Sequence, residues 1–274
     1  MRKLLSPYNS IIPKQSLGQN FLIDENVARK IVRQINPKPT DILIEIGSGR
    51  GALTKHLIGK VKHLIAFEID RRIVGELKEK YELDSVAIVH EDFLKTSISE
   101  WCKKYKSNVR IIGNIPYHLT SPILFKVFDE REYVVDLIIM VQREVARRIF
   151  AKPNTKDYGI LSVFSQFYGN PEYMFDVTPN CFYPKPKVTS TLIKIKLHNK
   201  IHSEINEQLF KVIVKTAFGK RRKMLRNSLK YLPYDEEIIQ DIFKNVDFNF
   251  EIRPEQITID KFILLTKQIE KVLR

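Results

Sequence analysis

Short apolar runs recur along the first two thirds of the chain, and the segments between them are long enough to form helices or connections. Five of these runs lie at 42–46, 64–67, 86–89, 109–112 and 134–141. A strand that is covered on both faces has a continuous apolar sequence, which is typical of a mostly parallel sheet. The pattern therefore predicts an α/β fold.

Two further segments show a regular period. Residues 24–35 carry apolar side chains at helical spacing, with Asp24 placed to cap the helix and Asn36, followed by proline, to end it. Residues 187–197 finish on an alternation of apolar and basic side chains: Ile193, Lys194, Ile195, Lys196 and Leu197. This alternation predicts a strand with one solvated face, near an edge of the sheet.

Beyond residue 200 the pattern becomes helical. Four helices are predicted there, and no strand, at 205–218, 224–232, 236–246 and 258–273. The polar residues 198–200 separate the two patterns as a linker. We therefore predict a sheet-containing domain at 1–198 and a small all-helical domain at 199–274.

Composition and charge narrow the class of protein. With 43% hydrophobic and 28% charged residues, the chain of 274 residues has the composition of a folded globular protein. Its 46 lysines and arginines outnumber 32 acidic residues, which leaves a net charge of +14. This excess favours a polyanionic partner, although a basic protein without such a partner remains the alternative.

The spacing of the cysteines and the length of the apolar runs indicate the cellular compartment that we expect for the protein. Cys102 and Cys181 lie far apart without the spacing of a zinc site, so we expect neither a metal nor a disulfide. No apolar run approaches the roughly 20 residues of a membrane span, and the basic N-terminus lacks the apolar stretch of a secretory signal. We expect a cytoplasmic monomer with no membrane partner.

Glycines and acidic residues follow the ends of the first three predicted strands. The first strand runs into the stretch 45–51, where Gly47 and Gly49 allow a tight turn and let a ligand lie against backbone N–H groups. The second strand ends at Glu68, whose carboxylate can accept both ribose hydroxyl protons, and the third ends at Asp92. Because parallel strands end at one edge of a sheet, these residues predict a nucleoside site.

Two cofactors fit such a site. S-adenosylmethionine is favoured, because it has no pyrophosphate to cradle and its positive charge tolerates nearby acids. NAD is the alternative. For Glu68 or Asp92 taken singly, helix capping or pairing with a nearby basic residue is an equally good interpretation.

The fourth strand runs into Asn114, Ile115, Pro116 and Tyr117. An exocyclic adenine amine is a poor nucleophile, because its lone pair is delocalised into the ring. Asn114 Oδ1 and the Ile115 carbonyl can each accept one N–H of that amine and so favour a pyramidal nitrogen. Pro116 stiffens the turn, and Tyr117 offers a face on which an extruded base can stack.

At this point the sequence resembles the ribosomal RNA adenine dimethyltransferases, and among them the type that acts on small-subunit RNA. The resemblance covers nearly the whole chain. It rests on these stretches: 15–22, 45–51, Glu68, 91–92, 114–117, 141–146, 158–159, 182–188, 217–229 and 253–255.

The resemblance implies a Rossmann-like class I methyltransferase fold, with a mostly parallel seven-stranded sheet and a helical RNA-binding domain. It implies S-adenosylmethionine as cofactor, with Glu68 on the ribose, Asp92 at the adenine, and a site lined by Asn20, Leu22, Gly47, Glu68, Asp92 and Asn114. Tyr117 and Phe182 would hold the target base between two rings. The implied reaction adds two methyl groups to each of two adjacent adenosines near the 3′ end of small-subunit RNA.

The positive charge is concentrated in the helical part. Eight basic residues occur between Lys211 and Lys230 without an acidic residue among them. Like charges at this density favour phosphate ligands, although a solvated helix face remains the alternative. The predicted RNA-binding residues are Lys220, Arg221, Arg222, Lys223 and Arg226.

Alternatives remain within the superfamily. Ser48 stands where the small-subunit type more often has proline and where the related antibiotic-resistance enzymes, which act on large-subunit RNA, have serine. DNA adenine enzymes typically carry proline where Ile115 stands, so DNA is a less favoured substrate. A ribosome-assembly factor that has lost catalysis is a further alternative, which the presence of Asn114, Tyr117, Glu68 and Asp92 disfavours.

Overall fold

The computed structural model describes residues 12–81, 83–198 and 205–274. The described residues form two compact units, one at 12–146 and 170–198 and the other at 147–169 and 205–274. The sequence-based division at 198/199 differs from these units in one respect, because residues 147–169 group with the C-terminal helices. The functional assignment of the two domains stays a prediction.

The sheet of the first unit has seven strands in the order β4-β3-β2-β5-β6-β9-β7. Two further short strands, β1 and β8, form a separate ribbon. The strands are β1 Phe21–Leu22, β2 Ile42–Ile46, β3 His63–Glu68, β4 Val86–His90, β5 Val109–Gly113, β6 Val134–Gln142, β7 Gly169–Val177, β8 Phe182–Tyr183 and β9 Ser190–Leu197.

The mostly parallel sheet that the apolar runs predict is confirmed. β2 pairs in parallel with β3 and β5, β3 with β4, and β5 with β6, whereas β9 runs antiparallel to β6. Every residue of β2 and β5 is buried, as a central strand covered on both faces requires. The carboxyl ends of β2, β3, β4 and β5 therefore meet at one edge.

β9 lies between β6 and the edge strand β7, so the predicted position near an edge is confirmed. Its alternation reflects a real difference between faces, because Lys196 is exposed while Ile193 and Ile195 are buried. Lys194 is half-buried and lies 3.8 Å from Asp136 of β6. The sequence analysis did not identify β7 or the ribbon of β1 and β8.

The helices complete the two units. They are α1 Glu25–Ile35, α2 Thr54–Leu57, α3 Arg71–Lys80, α4 Ile98–Tyr105, α5 Thr120–Asp129, α6 Arg143–Phe150, α7 Ile160–Tyr168, α8 Glu207–Gly219, α9 Leu225–Leu229, α10 Glu236–Asn245 and α11 Ile259–Leu273. The predicted cap of α1 is confirmed, since the Asp24 carboxylate accepts from the backbone N–H groups of Asn26 and Val27.

The second unit has an aromatic core. Phe167 of α7 stacks on Phe210 of α8, with ring centroids 4.2 Å apart. The Tyr158 hydroxyl donates to the Ile257 carbonyl at 2.9 Å, and its ring packs against Phe218. These contacts explain why residues 147–169 group with the C-terminal helices, and they involve side chains that the sequence pattern alone does not pair.

Within the described part of the chain, no helix has both the length and the apolar character that crossing a membrane requires.

Candidate functional site

A cleft opens at the carboxyl ends of four parallel strands of the first unit. It is lined by the N-terminal segment 17–22, by the loops after β2 and β3, by residues 91–94 after β4, and by residues from 114 to 123 after β5. The predicted cofactor-binding and catalytic residues, with the exception of Phe182, therefore lie around one cavity.

The glycine loop after β2 turns sharply. Gly47 and Gly49 have φ angles of 68° and 51°, values that L side chains rarely adopt. A Cβ on Gly49 would lie 3.1 Å from a ring carbon of Phe21, and one on Gly47 would lie 3.5 Å from the Asn114 carbonyl oxygen. The loop thus requires glycine for its backbone conformation and allows close approach of a ligand.

Glu68 ends β3 and faces this loop. Its Oε2 accepts from the Gly49 N–H at 2.9 Å, while Oε1 accepts from the N–H groups of Ile69 and Asp70 at 2.9 and 3.0 Å. Burial raises the pKa of the Glu68 carboxyl, and these three hydrogen bonds oppose the rise. The carboxylate is therefore held in a fixed orientation beside the cleft, and Oε2, which accepts only one of the three bonds, keeps a lone pair for a ligand's hydroxyl.

Asp92 follows β4 and also lines the cleft. Its Oδ1 accepts from the Leu94 N–H at 3.0 Å, which caps a short helical turn. The capping interpretation is thus correct for Asp92. It occupies only one carboxylate oxygen and leaves the second for another donor.

Asn114 directly follows β5 and is held by the N-terminal segment. Its Nδ2 donates to the Asn20 carbonyl at 3.0 Å. This bond fixes which end of the amide is the donor and leaves Oδ1 as the atom that can accept a hydrogen bond. Asn20, Leu22 and Asn114 all line the cleft, as the sequence resemblance implies.

The N-terminal segment is itself anchored to the strand ends. Gln19 Nε2 donates to Asp70 Oδ2 at 3.2 Å, and Arg72 also pairs with Asp70. Gly18 lies so close to His118 and Pro116 that an added Cβ would be 3.2 to 3.3 Å from their atoms. Sequence reasoning did not assign this role to Asp70, which carried no signal beyond its position two residues after Glu68.

Ile115, Pro116 and Tyr117 continue the lining of the cleft after Asn114. Ile115 is buried, and the Pro116 carbonyl accepts from the Leu119 N–H at 2.9 Å. The half-buried Tyr117 hydroxyl forms a 2.7 Å hydrogen bond with the Ser190 hydroxyl. Burial raises the pKa of the Tyr117 phenol, so its ring stays neutral at physiological pH.

Phe182 is the residue that the structure does not bring to the cleft. It pairs with Leu22 across the ribbon of β1 and β8, and its ring is 1% exposed within the apolar core of the first unit. The neighbouring Tyr183 points the other way along the strand and is 54% exposed. Phe182 is therefore buried away from the cleft lining in this conformation, and its stacking on the target base stays a prediction.

Glu45 is a buried acid of the cleft to which the sequence analysis gave no role. Its Oε2 accepts from the Thr54 hydroxyl at 2.7 Å. Burial raises its pKa to about 8, with a smaller contribution from the nearby Glu68 charge. The signal in the sequence was a single acidic residue inside the otherwise apolar run at 42–46.

The predicted RNA-binding residues lie in the second unit, around the turn between α8 and α9, and four of the five are exposed. Arg221 is half-buried and donates to the carbonyls of Thr155 and Lys156, at 3.2 and 2.5 Å. Arg226 lies 3.4 Å from Glu251. Arg222 and Lys223 are exposed, so the five cations differ in how far they are already engaged.

Comparison with known proteins agrees with this geometry. A family model described as ribosomal RNA adenine dimethylase matches residues 13–271. The ribosomal RNA small subunit methyltransferase A of Mycoplasma mobile is 43% identical over 92% of this chain and 96% of the relative. The protein of the same name from Caldanaerobacter subterraneus is 38% identical over 95% of this chain and 98% of the relative.

Solved structures agree in fold. A dimethyladenosine transferase from Plasmodium falciparum aligns with a TM-score of 0.75, at 23% identity, over 92% of this chain and 98% of its own. The 23S rRNA methyltransferase ErmE aligns with a TM-score of 0.65, at 22% identity, over 92% of this chain and all of its own. At these identities the likeness concerns the fold alone.

Proposed function

The chain belongs to the ribosomal RNA adenine dimethylase family, and from that premise we propose that it methylates the N6 amines of adenosines in small-subunit ribosomal RNA, with S-adenosylmethionine as donor. The observation that carries the proposal is the amide of Asn114, fixed by Asn20 at the edge of the strand-end cleft. The oxygen of this amide supplies an oriented hydrogen-bond acceptor at the position where the N6 amine of the target adenosine must lie.

The residues of the cleft fit the donor. The φ angles of Gly47 and Gly49 produce a turn along which an adenosyl group can lie, and Glu68 presents a fixed carboxylate to ribose hydroxyls. Asp92 keeps one oxygen for the adenine amine. S-adenosylmethionine supplies an electrophilic methyl group when it is bound, and Leu22 would close the apolar side of the site.

The loop after β5 prepares the acceptor amine. Asn114 Oδ1 and the Ile115 carbonyl accept its two N–H groups, which localises the nitrogen lone pair toward the methyl carbon. The nitrogen then forms a bond to that carbon as the carbon–sulfur bond breaks, and the methylated nitrogen releases a proton to water. Each hydrogen bond strengthens as positive charge develops on the nitrogen, so it favours the transition state over the bound substrate.

Tyr117 supplies the stacking face for the target base. An adenine inside a helix presents its N6 amine to its pairing partner, so the base must be unstacked before transfer. Aromatic stacking offsets about 1–3 kcal/mol of that cost. The position of the neutral Tyr117 ring in the cleft lining supports this role, and Phe182 would need to leave its core position to form a second face.

We propose two adjacent adenosines near the 3′ end of small-subunit RNA as the targets, each receiving two methyl groups. The names of the relatives support the small subunit. The five predicted RNA-binding residues of the second unit form what we call the basic surface, which would contact phosphates of the RNA: Lys220, Arg221, Arg222, Lys223 and Arg226. The cytoplasmic location and the monomeric state stay predictions.

Mass spectrometry of ribonuclease fragments of the RNA tests this function, because it identifies both the modified nucleoside and its position. Purified protein is incubated with S-adenosylmethionine and with unmodified small-subunit RNA, large-subunit RNA, or the corresponding ribosomal particles. We expect N6,N6-dimethyladenosine at two neighbouring positions of the small-subunit substrate. Modification confined to large-subunit RNA would instead support the antibiotic-resistance type of activity, and no modified adenosine in any substrate would contradict the proposal.

A further inference from the structure

A buried hydroxyl fixes the tip of the Tyr117 side chain. Ser190 is the first residue of β9, opposite Gln142 of β6, and it is fully buried. Its Oγ lies 2.7 Å from the Tyr117 hydroxyl. The serine therefore joins a rigid strand of the sheet to the ring that faces the cleft.

The other end of Tyr117 is fixed by the backbone. Tyr117 begins a short helical turn that runs to Leu119, and the Leu119 N–H closes that turn on the Pro116 carbonyl at 2.9 Å. With its backbone held at one end and its hydroxyl at the other, the long axis of the ring is fixed, because a change of χ1 would break the hydrogen bond. The bond also disfavours rotation of the ring about that axis, since a phenol O–H lies in the plane of its ring. A stacking platform needs this restriction, because an aromatic face that rotates must be ordered again each time a base binds.

Breaking this hydrogen bond would leave the buried Tyr117 hydroxyl without its partner. The Tyr117 hydroxyl is directed away from solvent toward β9, and a buried hydroxyl without a partner destabilises the conformation that buries it. Loss of Ser190 would thus favour ring conformations in which the phenol reaches water. Those conformations turn the ring face away from the position beside Asn114.

We propose that Ser190 is a positioning residue for methyl transfer, which holds the ring of Tyr117 at the place where the target adenine stacks. This proposal rests on the proposed function and extends it to a residue outside the cleft lining. Its effect passes through Tyr117, so it concerns the RNA substrate and leaves the donor site unchanged.

The test compares two variants that remove the same hydrogen bond from opposite ends, Ser190→Ala and Tyr117→Phe, with the double variant. Thr191→Val is the matched control. Thr191 is the next residue of β9 and equally buried, but its hydroxyl donates to Asp176 and not to Tyr117. Steady-state methyl transfer gives kcat and KM for the RNA, and calorimetry gives the affinity for S-adenosylhomocysteine.

We expect Ser190→Ala and Tyr117→Phe each to lower kcat/KM for RNA by about three- to tenfold, the size of one net hydrogen bond. The double variant should be no worse than either single one, because both remove one interaction. S-adenosylhomocysteine affinity should change less than twofold, and Thr191→Val should transfer methyl groups at the wild-type rate.

Three results would overturn the proposal. Ser190→Ala could match the wild type, the two single effects could add in the double variant, or Thr191→Val could lose as much activity as Ser190→Ala. The first two results would show that Ser190 does not act through Tyr117. The third would show that Ser190 only stabilises β9. Absence of transfer by the wild-type protein would overturn the proposed function and this inference with it.

Discussion

The cleft of the first unit and the basic surface of the second use polar residues in opposite ways. Around the cleft, Glu68, Asn114 and Tyr117 each have a defined partner within 3.0 Å. On the basic surface, Arg222 and Lys223 extend into solvent. The first region fixes individual atoms, and the second concentrates charge.

The difference follows from what each region has to recognise. Methyl transfer depends on atoms placed to within a fraction of an ångström, so the groups that act on the amine must be held before the substrate arrives. Phosphate binding depends on counterion release and tolerates mobile side chains. We therefore expect substitutions in the cleft to affect rate, and substitutions on the basic surface to affect affinity and its salt dependence.

The largest expected effect is that of Asn114→Ala. It removes the oriented acceptor, so methyl transfer should fall by about 10² to 10³, as for the loss of one preorganised hydrogen-bonding group in other active sites. Single-turnover transfer measures the rate, and filter binding measures RNA affinity, which should stay within twofold. Asn108→Ala, at an exposed asparagine that contacts Glu132, is the control. An equal loss of rate and RNA affinity would indicate misfolding instead.

A smaller effect is expected for substitutions in the basic surface. Two neighbouring arginines there should differ in how much they contribute to the salt dependence of RNA binding. Arg222→Ala should reduce the slope of log affinity against log salt by about one, the value for one phosphate contact. Arg221→Ala should change the slope less, because that guanidinium already donates to the carbonyls of Thr155 and Lys156. RNA binding at several salt concentrations measures both, with the exposed Lys38→Ala as control. Equal slopes for all three variants would contradict an RNA-binding surface at this turn.

The smallest effect concerns stability and arises from Glu45. Its pKa is about 8 in the folded protein and 4.5 ordinarily, so the folded state holds the proton over this range while the unfolded state releases it. The contribution of Glu45 to the free energy of unfolding is therefore fully present below pH 4.5 and is lost as the pH rises toward 8.

Glu45→Gln keeps an acceptor for Thr54 and removes the titration. Between pH 6 and pH 8 the melting temperature of the wild type should fall by roughly 5 °C more than that of the variant. Scanning calorimetry at several pH values measures the difference. Parallel curves for the two proteins would show that Glu45 does not titrate in this range.

Much of the first unit could be predicted, because most of its strands are covered on both faces and therefore have continuous apolar sequences. The runs at 42–46 and 109–112 match β2 and β5 closely, since every position of these central strands is buried and all but Glu45, Arg110 and Gly113 carry apolar side chains. β7 has exposed and half-buried positions along most of its length and so lacks that signal. The grouping of residues 147–169 with α8 depends on contacts between aromatic side chains distant in sequence, such as Phe167 and Phe210.

The candidate site was predictable wherever it lies at a strand end. Gly47, Glu68, Asp92 and Asn114 follow consecutive parallel strands, so their order along the chain places them at one edge. Ser190 could not be found this way, because it reaches Tyr117 through an antiparallel strand 73 residues further along the chain. The buried position of Phe182 could not be predicted for a related reason, since the pairing of β1 with β8 decides which of Phe182 and Tyr183 faces the core.

The most direct test of the account is a calorimetric titration of S-adenosylhomocysteine, a donor analogue that cannot react, into the wild-type protein, Glu68→Ala and Glu91→Ala. Glu91 is an exposed acid that also lines the cleft, so it controls for charge alone. We predict one binding site per chain, an affinity loss of about 100-fold for Glu68→Ala and of less than threefold for Glu91→Ala. The absence of binding to the wild type, or equal affinity in all three proteins, would contradict the assignment of this cleft as the donor site.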